Sequence, residues 1–222
     1  MIYISGDTHG TIDSRFSEIN FRPEDFIIIL GDFGFLWEAE PTEKEAVLLR
    51  ELGSKGSTVL FIDGNHENFD RLDRLPTETR FGAEVGVIQP GLYHLRRGNI
   101  YTIDNRRFFA MGGGLSIDKE FRIPGLSWWP QEQPSWEETQ HALETLEIHD
   151  NEVDYVLTHA APLTIKRIVL RGDNRFPDPT EQFLESLYPL IRFKLWFFGH
   201  YHVNVKLGHF IGLYDDWYAL DG

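Results

Sequence analysis

The chain has 222 residues, of which 41% are hydrophobic and 25% are charged, a composition typical of a globular protein with a full hydrophobic core. It contains no cysteine, which excludes disulfides and thiolate metal sites. The formal net charge of −14 disfavours extended nucleic acid and anionic lipid as partners, because long-range repulsion opposes both. No apolar run reaches the ~18 residues of a membrane span, and no signal peptide is evident, so we expect a cytoplasmic protein without membrane contact.

Three apolar runs in the first third of the chain predict buried strands, and each run leads into a turn that contains glycine. The runs are Ile2–Ser5, Phe26–Leu30 and Thr58–Ile62. Between the second and third runs, Pro41–Leu52 has the apolar periodicity of an amphipathic helix. Strands that alternate with helices indicate βαβ units and a largely parallel sheet.

The remainder of the chain combines shorter strands with two further helices. Ser135–His149 is predicted as a helix that opens with a capping box, and a second helix is predicted near Thr180–Leu190. Asp104-Asn105 is the expected turn of a hairpin. The Gly112–Pro134 stretch is long, irregular and rich in aromatic residues, and such loops are often functional. The predicted strands are Val85–Ile88, Ile100–Ile103, Arg107–Met111, Val153–Leu157, Leu195–Phe198, Val203–Leu207 and Phe210–Leu213.

Side chains that can bind metal ions follow the ends of five predicted strands. The carboxyl ends of parallel strands meet at one edge of a sheet, where ligands commonly bind. Alternate residues of an extended segment point to the same side, so Asp7 with His9, and His200 with His202, can each converge on one site. Imidazole and carboxylate donors favour Mn, Fe or Zn over Ca. The candidate residues are Asp7, His9, Asp32, Asn65, His66, His159, His200 and His202.

Each of these motifs is weak when it is taken alone. Asp-x-His and His-x-His pairs arise by chance, Asn65 next to Gly64 could occupy a tight turn, and His159 could be a buried histidine bonded to the backbone. The conjunction is stronger, because burying so many unpaired polar groups at strand ends would otherwise be costly. We therefore predict a centre of two metal ions roughly 3.5–4 Å apart, which activates water and holds a phosphoryl oxygen, with Asp32 as the bridging carboxylate.

The order of the motifs resembles that of the calcineurin-like metallophosphoesterase superfamily. The matching blocks are Gly6-Asp7-x-His9, Gly31-Asp32, Gly64-Asn65-His66-Glu67, His159 and Gly199-His200-x-His202. The resemblance implies an α/β fold, namely a four-layer α-β-β-α sandwich, formed by residues 1–222 as a single domain. It also implies a hydrolase of phosphate esters that uses two divalent metal ions, with Mn expected and Fe or Zn as alternatives.

The resemblance further implies a role for each candidate residue. His66 would lie beside the leaving-group oxygen as a general acid or an electrostatic stabiliser, and a metal-bound hydroxide would attack phosphorus in line. One metal would be held by Asp7, His9, Asp32 and His202. The other would be held by Asp32, Asn65, His159 and His200.

The second block departs from the family pattern, which usually continues Gly-Asp-x-x-Asp. Phe35 stands where the second aspartate is expected, so the residue that orients His66 is unassigned, with Asp63 and Glu67 nearest in sequence. This departure argues against a protein serine/threonine phosphatase. Those phosphatases also carry an arginine where this chain has Asp63, and a carboxylate there would repel a monoester dianion more than a diester. We therefore predict that a small phosphodiester is preferred over a monoester.

Two cations of the Gly112–Pro134 stretch, Lys119 and Arg122, are the candidate substrate contacts. The glycines at the start of this stretch could instead form a merely flexible connection. Three alternatives remain beside the small phosphodiesterase. They are a protein or small-molecule phosphomonoesterase, a nucleic-acid phosphodiesterase, and a non-catalytic scaffold of the same fold. The acidic net charge argues against the nucleic-acid phosphodiesterase. The complete set of metal-ligand positions argues against the non-catalytic scaffold. The oligomeric state does not follow from the sequence.

Overall fold

Two β-sheets pack face to face in the middle of the molecule, and helices cover the outer face of each sheet. The structure is a computed structural model that describes residues 1–54, 56–172 and 178–220. Its helices are α1 (Arg15–Glu18), α2 (Glu43–Ser54), α3 (Phe69–Leu72), α4 (Trp136–Ile148), α5 (Leu163–Val169) and α6 (Pro179–Leu187). Its strands are β1 (Ile2–Ser5), β2 (Phe26–Leu30), β3 (Thr58–Ile62), β4 (Thr77–Arg80), β5 (Ala83–Gln89), β6 (Leu92–Leu95), β7 (Asn99–Ile103), β8 (Arg106–Met111), β9 (Tyr155–Thr158), β10 (Leu195–Phe198), β11 (Val205–Leu207), β12 (Phe210–Gly212) and β13 (Tyr218–Leu220).

Both sheets have a parallel centre and antiparallel edges. Within the described residues, the first sheet has the order β13-β1-β2-β3-β6-β5-β4, and the second has the order β11-β12-β10-β9-β8-β7. Strands β1, β2, β3 and β6 run parallel, as do β8, β9, β10 and β12. The remaining strands pair antiparallel at the edges. The carboxyl ends of the parallel strands therefore form one edge in each sheet.

Three hydrophobic clusters fill the spaces between the layers. The central cluster joins side chains of both sheets, such as Ile28 of β2 and Phe197 of β10. The alternate residues of β2 and β10 face outward, where Ile29 packs with Leu49 of α2 and Trp196 packs with Leu184 of α6. This arrangement is the predicted four-layer α-β-β-α sandwich.

Most of the predicted helices and strands are present in the structure. The four strands predicted at Ile2–Ser5, Phe26–Leu30, Thr58–Ile62 and Leu195–Phe198 have the predicted bounds. The capping box of α4 is present, and both residues of the predicted hairpin turn between β7 and β8 have positive φ angles of 49° and 59°. Strands β4, β6 and β13 and helices α1, α3 and α5 were not predicted. In the described part of the chain, no helix is long and apolar enough to cross a membrane.

Candidate metal centre

The predicted ligand residues all lie at the carboxyl ends of parallel strands. β1, β2 and β3 of the first sheet lead to Asp7, Asp32 and Asn65, while β9 and β10 of the second sheet lead to His159 and His200. The two sheets pack against each other, so these five strand ends meet in one place. The resulting group of side chains, which we call the ligand cluster, consists of Asp7, His9, Asp32, Asn65, His159, His200 and His202.

One half of the ligand cluster is open to solvent. The Nε2 atoms of His9 and His202 are 3.2 Å apart, and Nε2 of His202 lies 3.7 Å from Oδ1 of Asp7. The side chains of His9 and His202 are 37% and 47% exposed, whereas that of Asp7 is fully buried. The donor atoms of these three residues lie within 4.8 Å of one another, which is close enough to share one ion.

The other half of the ligand cluster is buried and is built from Asp32, His159 and Asn65. Nδ1 of His159 bonds the backbone oxygen of Leu30 at 2.7 Å. Because a carbonyl oxygen only accepts, Nδ1 carries a proton, which leaves Nε2 as the ring atom that can bind a metal ion. That Nε2 lies 3.1 Å from Oδ1 of Asn65 and 3.3 Å from Oδ1 of Asp32. These three atoms are close enough to bind a single cation.

The electrostatics of the cluster also favour a bound cation. Burial raises the pKa of Asp7 to about 7, and the neighbouring charge of Asp32 adds to the effect. Burial lowers the pKa of His159, but Asp32 and Asp7 outweigh it and raise that pKa above its ordinary value. Burial lowers the pKa of His200 to about 3, so its ring is neutral and its nitrogen lone pair is available. The donor set therefore fits divalent ions that accept imidazole and carboxylate ligands.

Asp32 lies between the two halves of the ligand cluster. Its Oδ1 faces His159, and its Oδ2 lies 3.8 Å from Nδ1 of His9 in the open half. Oδ1 also accepts a hydrogen bond from the backbone N–H of His66 at 2.7 Å. Asp7 belongs to both groups of closely spaced donors, one with His9 and His202 and the other with Asp32 and His159, whereas Asp32 belongs to the second group only. The two halves of the cluster are thus joined by two carboxylates.

The backbone at the ligand cluster adopts an unusual conformation. Positive φ angles of 47°, 46°, 67° and 50° occur at His9, Asp32, His200 and His202. Residues other than glycine rarely adopt this left-handed region, and such strain gathers at functional sites. The strain is held by neighbouring hydrogen bonds, for example from the backbone N–H of His9 to the backbone oxygen of Asp32 at 2.8 Å.

His66 stands beside the ligand cluster and is not one of its donors. Its ring centroid lies 5.6 Å from that of His9. Burial lowers its pKa, an effect that the charge of Asp32 opposes. Neither Asp63 nor Glu67, the acids nearest to it in sequence, forms a hydrogen bond with the His66 ring in the structure. Two residues of the Gly112–Pro134 stretch also act on the pKa of His66: Arg122 lowers it and Asp118 raises it.

Asp63 does not face the substrate side, which corrects the expectation that its carboxylate repels a monoester dianion. Asp63 is 2% exposed and is paired with Arg97, whose Nε bonds Oδ2 at 2.8 Å. His94 contacts the other carboxylate oxygen at 3.2 Å. Burial opposes the charge of Asp63, but Arg97 outweighs it and holds the pKa of that carboxyl well below its ordinary value. A neutralised, buried carboxylate exerts little force on the substrate.

Glu67 also has a structural role that its position in sequence did not reveal. It accepts hydrogen bonds from the backbone N–H groups of Phe33 at 2.7 Å and Gly34 at 3.2 Å. These bonds fix the turn that carries Asp32. Burial raises the pKa of Glu67 well above its ordinary value, and the nearby charge of Asp32 contributes.

Two further supports of the ligand cluster were missed because nothing in their local sequence marks them. Ser116 is buried, and its Oγ accepts a hydrogen bond from Nδ2 of Asn65 at 3.1 Å, which turns the amide oxygen toward His159. Arg15 is also buried and donates to the backbone oxygens of Gly6 at 2.9 Å and Asp7 at 3.1 Å. Such outer contacts orient metal ligands.

The two predicted substrate contacts occupy different environments. Arg122 lines a cavity together with His9 and His66. Its guanidinium is held by Asp118, with hydrogen bonds of 2.7 and 2.8 Å, and by the backbone oxygen of Ser127 at 3.1 Å. Lys119 is exposed and lines neither of the cavities beside the ligand cluster.

Of the cavities that adjoin the ligand cluster, two share His66. The larger, of about 680 Å³, borders His9 and has an aromatic wall of Phe35 and Trp37. The smaller, of about 390 Å³, borders four other side chains of the cluster, Asp32, Asn65, His200 and His202. We refer to them below as the larger and the smaller cavity.

The chain matches a known protein family over most of its length. The sequence profile of the calcineurin-like phosphoesterase family matches residues 1–204. A solved structure from Staphylococcus aureus, provisionally named a 5'-nucleotidase and determined with α-ketoglutarate, aligns with 16% sequence identity and a TM-score of 0.49. The alignment covers 95% of this chain and 48% of that chain. No curated protein matches. The chain belongs to the calcineurin-like phosphoesterase family, whose members are metal-dependent phosphoric ester hydrolases.

Proposed function

We propose that the protein is a phosphodiesterase for small substrates. The observation that carries this proposal is the pair of cavities that meet at His66, one on the His9 side of the ligand cluster and one on the His200 side. A phosphodiester has two organic groups on phosphorus, which we call its arms, and each cavity is large enough to take one arm. A monoester would use a single cavity.

The ligand cluster would hold two divalent ions, with Mn expected and Fe or Zn as alternatives. Asp7, His9, Asp32 and His202 form the proposed first set of ligands, and Asp32, Asn65, His159 and His200 the second. When bound, the ions would polarise the phosphoryl oxygens and supply a water nucleophile at neutral pH. Leu30, Ser116 and Glu67 would keep the ligand side chains and the Asp32 turn in place before the ions bind.

His66 is the proposed general acid. It is the side chain shared by both cavities, so it is placed to reach the bridging oxygen of an arm in either one. Arg122 lines the larger cavity beside His66 and would contact a phosphoryl oxygen or the arm that departs. Phe35 and Trp37 would pack against an apolar or aromatic arm in the same cavity.

The first test compares hydrolysis of bis(4-nitrophenyl) phosphate and 4-nitrophenyl phosphate at saturating Mn. The proposal predicts a larger kcat/KM for the diester, because only the diester fills both cavities. A ratio well below one would replace the phosphodiesterase assignment by a phosphomonoesterase.

The second test examines His66→Ala. We expect the variant to retain its metal content, because His66 is not a member of the ligand cluster. General acid catalysis is worth roughly 10²–10⁴-fold, so the rate should fall by that factor for an alkyl leaving group and by less for nitrophenolate, which leaves without a proton. Equal losses with both leaving groups would remove the general-acid role.

A phosphomonoesterase is the second candidate, and Arg122 is the observation that favours it. A guanidinium beside His66 could bind the additional charge of a monoester dianion. Under this alternative, Arg122→Ala would reduce the rate with 4-nitrophenyl phosphate far more than the rate with the diester. Lys119→Ala is the matched control, because Lys119 lies on the same loop outside both cavities.

A further inference from the structure

The smaller cavity has a wall that the proposed phosphate chemistry does not use. Away from the ligand cluster, it is lined by apolar side chains, Leu115, Ile117 and Leu170, and by a buried polar group. That polar group consists of Lys166, Asp178, Glu181 and Tyr201, contributed by α5, the start of α6 and the turn after β10. A wall of this kind can bind the part of the substrate that lies beyond the phosphate.

Most charges of this wall are neutralised by partners within the protein. Nζ of Lys166 lies 2.8 Å from Oε2 of Glu181, and Oε1 of Glu181 accepts a hydrogen bond from the Tyr201 hydroxyl at 3.0 Å. Asp118, which also lines the cavity, is paired with Arg122. These contacts leave one carboxylate of the wall to be considered.

That carboxylate is Asp178, which is 1% exposed. Its Oδ1 caps α6 by accepting the backbone N–H of Thr180 at 2.8 Å, whereas its Oδ2 has no hydrogen-bond partner among the described residues. Nε2 of the neighbouring Gln133 donates to the backbone oxygen of Gly114 at 2.7 Å, and the Gln133 amide makes no hydrogen bond to Oδ2. Burial raises the pKa of Asp178, and the Gln133 amide acts against this larger effect. An unsatisfied buried acceptor costs free energy, and a ligand that donates to it recovers that cost.

We propose that the smaller cavity is a specificity site for one arm of the substrate, a short carbon chain that ends in an amino group. The apolar side chains would contact the carbon chain, and the ammonium would donate to Oδ2 of Asp178. An ammonium matches the carboxylate in charge as well as in hydrogen bonding. This inference rests on the proposed phosphodiesterase function, because the arm is carried to the cavity by a diester held at the ligand cluster.

The test uses two diesters of nearly equal size, 2-aminoethyl 4-nitrophenyl phosphate and propyl 4-nitrophenyl phosphate. The nitrophenyl arm is common to both and reports hydrolysis by colour. We expect kcat/KM to be about tenfold higher for the aminoethyl diester, which corresponds to one charge-assisted hydrogen bond. Asp178→Asn should bring the ratio of the two kcat/KM values close to one.

Two controls make the result interpretable. Asparagine is as good an N-cap as aspartate, so Asp178→Asn should keep α6 intact, and an unchanged Tm would verify this. Glu185→Gln makes the same carboxylate-to-amide change on α6 at a residue outside the cavity lining, and it should leave the ratio unchanged.

A binding measurement separates failure of the inference from failure of the proposed function. Calorimetry with His66→Ala and Mn measures the affinity of both diesters where turnover is slowed. Equal kcat/KM and equal affinity for the two diesters would overturn the specificity site while the phosphodiesterase assignment stands. Tighter binding of the aminoethyl diester, without hydrolysis of either diester by the unaltered protein, would support the site and reject the phosphodiesterase.

Discussion

Replacing Asp32 by asparagine should greatly weaken the binding of both metal ions. The carboxylate is 1% exposed, with Oδ1 facing His159 at 3.3 Å and Oδ2 facing His9 at 3.8 Å. Asparagine retains an oxygen that can accept the backbone N–H of His66, which Asp32 now accepts at 2.7 Å. The change therefore removes the negative charge and one metal-binding oxygen while preserving the local turn.

The magnitude follows from the linkage between metal binding and folding. At a metal concentration of 100 Kd, each occupied site stabilises the fold by about 2.7 kcal/mol, so two sites contribute about 5 kcal/mol. For a chain of this size, 1 kcal/mol shifts Tm by roughly 2–4 °C, which predicts a rise of about 10–20 °C on addition of metal. Mutation of a residue that merely orients a metal ligand lowers metal affinity by up to ~100-fold. Loss of a carboxylate that is itself a shared ligand should lower the affinity of both sites by at least that factor. At the same metal concentration, about 0.4 kcal/mol per site would then remain.

Differential scanning calorimetry with and without Mn, combined with elemental analysis, measures this effect. The matched control is Asp104→Asn in the hairpin turn between β7 and β8, at the end of β8 opposite the ligand cluster, where a positive φ of 49° suits asparagine. The control should behave as the unaltered protein. A full thermal shift and two bound ions in Asp32→Asn would refute the assignment of Asp32 as the shared ligand.

Three further predictions concern the residues around the site. Ser116→Ala should weaken metal binding about 10–100-fold by releasing the Asn65 amide, and an unchanged metal Kd would show that this contact is dispensable. Arg97→Met should lower the free energy of unfolding by about 3–5 kcal/mol because it leaves Asp63 buried without a partner; a denaturant titration in which Arg97→Met loses less than 1 kcal/mol would contradict the burial argument. Burial raises the pKa of Glu181 to about 7, so its ionisation destabilises the folded state as the pH rises from ~4.3 toward 7. Glu181→Gln should remove this decline in the free energy of unfolding. Parallel curves of unfolding free energy against pH for the two proteins, measured in EDTA, would reject this prediction.

Local sequence patterns predicted the alternating strands and helices and the residues of the ligand cluster, whereas the four-layer arrangement was implied by the resemblance to a known family. Apolar runs of four or five residues mark buried strands, and the residue after each run must lie at the strand's carboxyl end. Asp7, Asp32 and His159 could therefore be placed without knowledge of the packing. Strand β4, with the sequence Thr-Glu-Thr-Arg and every residue exposed, has no apolar alternation and was missed for that reason. Helix α3 has only four residues, too few for periodicity to be visible.

The tertiary structure alone decided which side chains near the site are neutralised and which remain available. Asp63 meets Arg97 across 34 positions of sequence, and Asn65 meets Ser116 across 51, distances at which spacing contains no information about contact. From sequence, Asp63 looks like a charge beside the substrate, yet packing of the loop after β6 against β3 buries it with a counterion. Packing also brings Arg122 next to His66 while Lys119, only three residues earlier, remains on the surface. The chain's local pattern determines which residues reach the carboxyl edge, and the contacts between distant segments determine their charge state and orientation there.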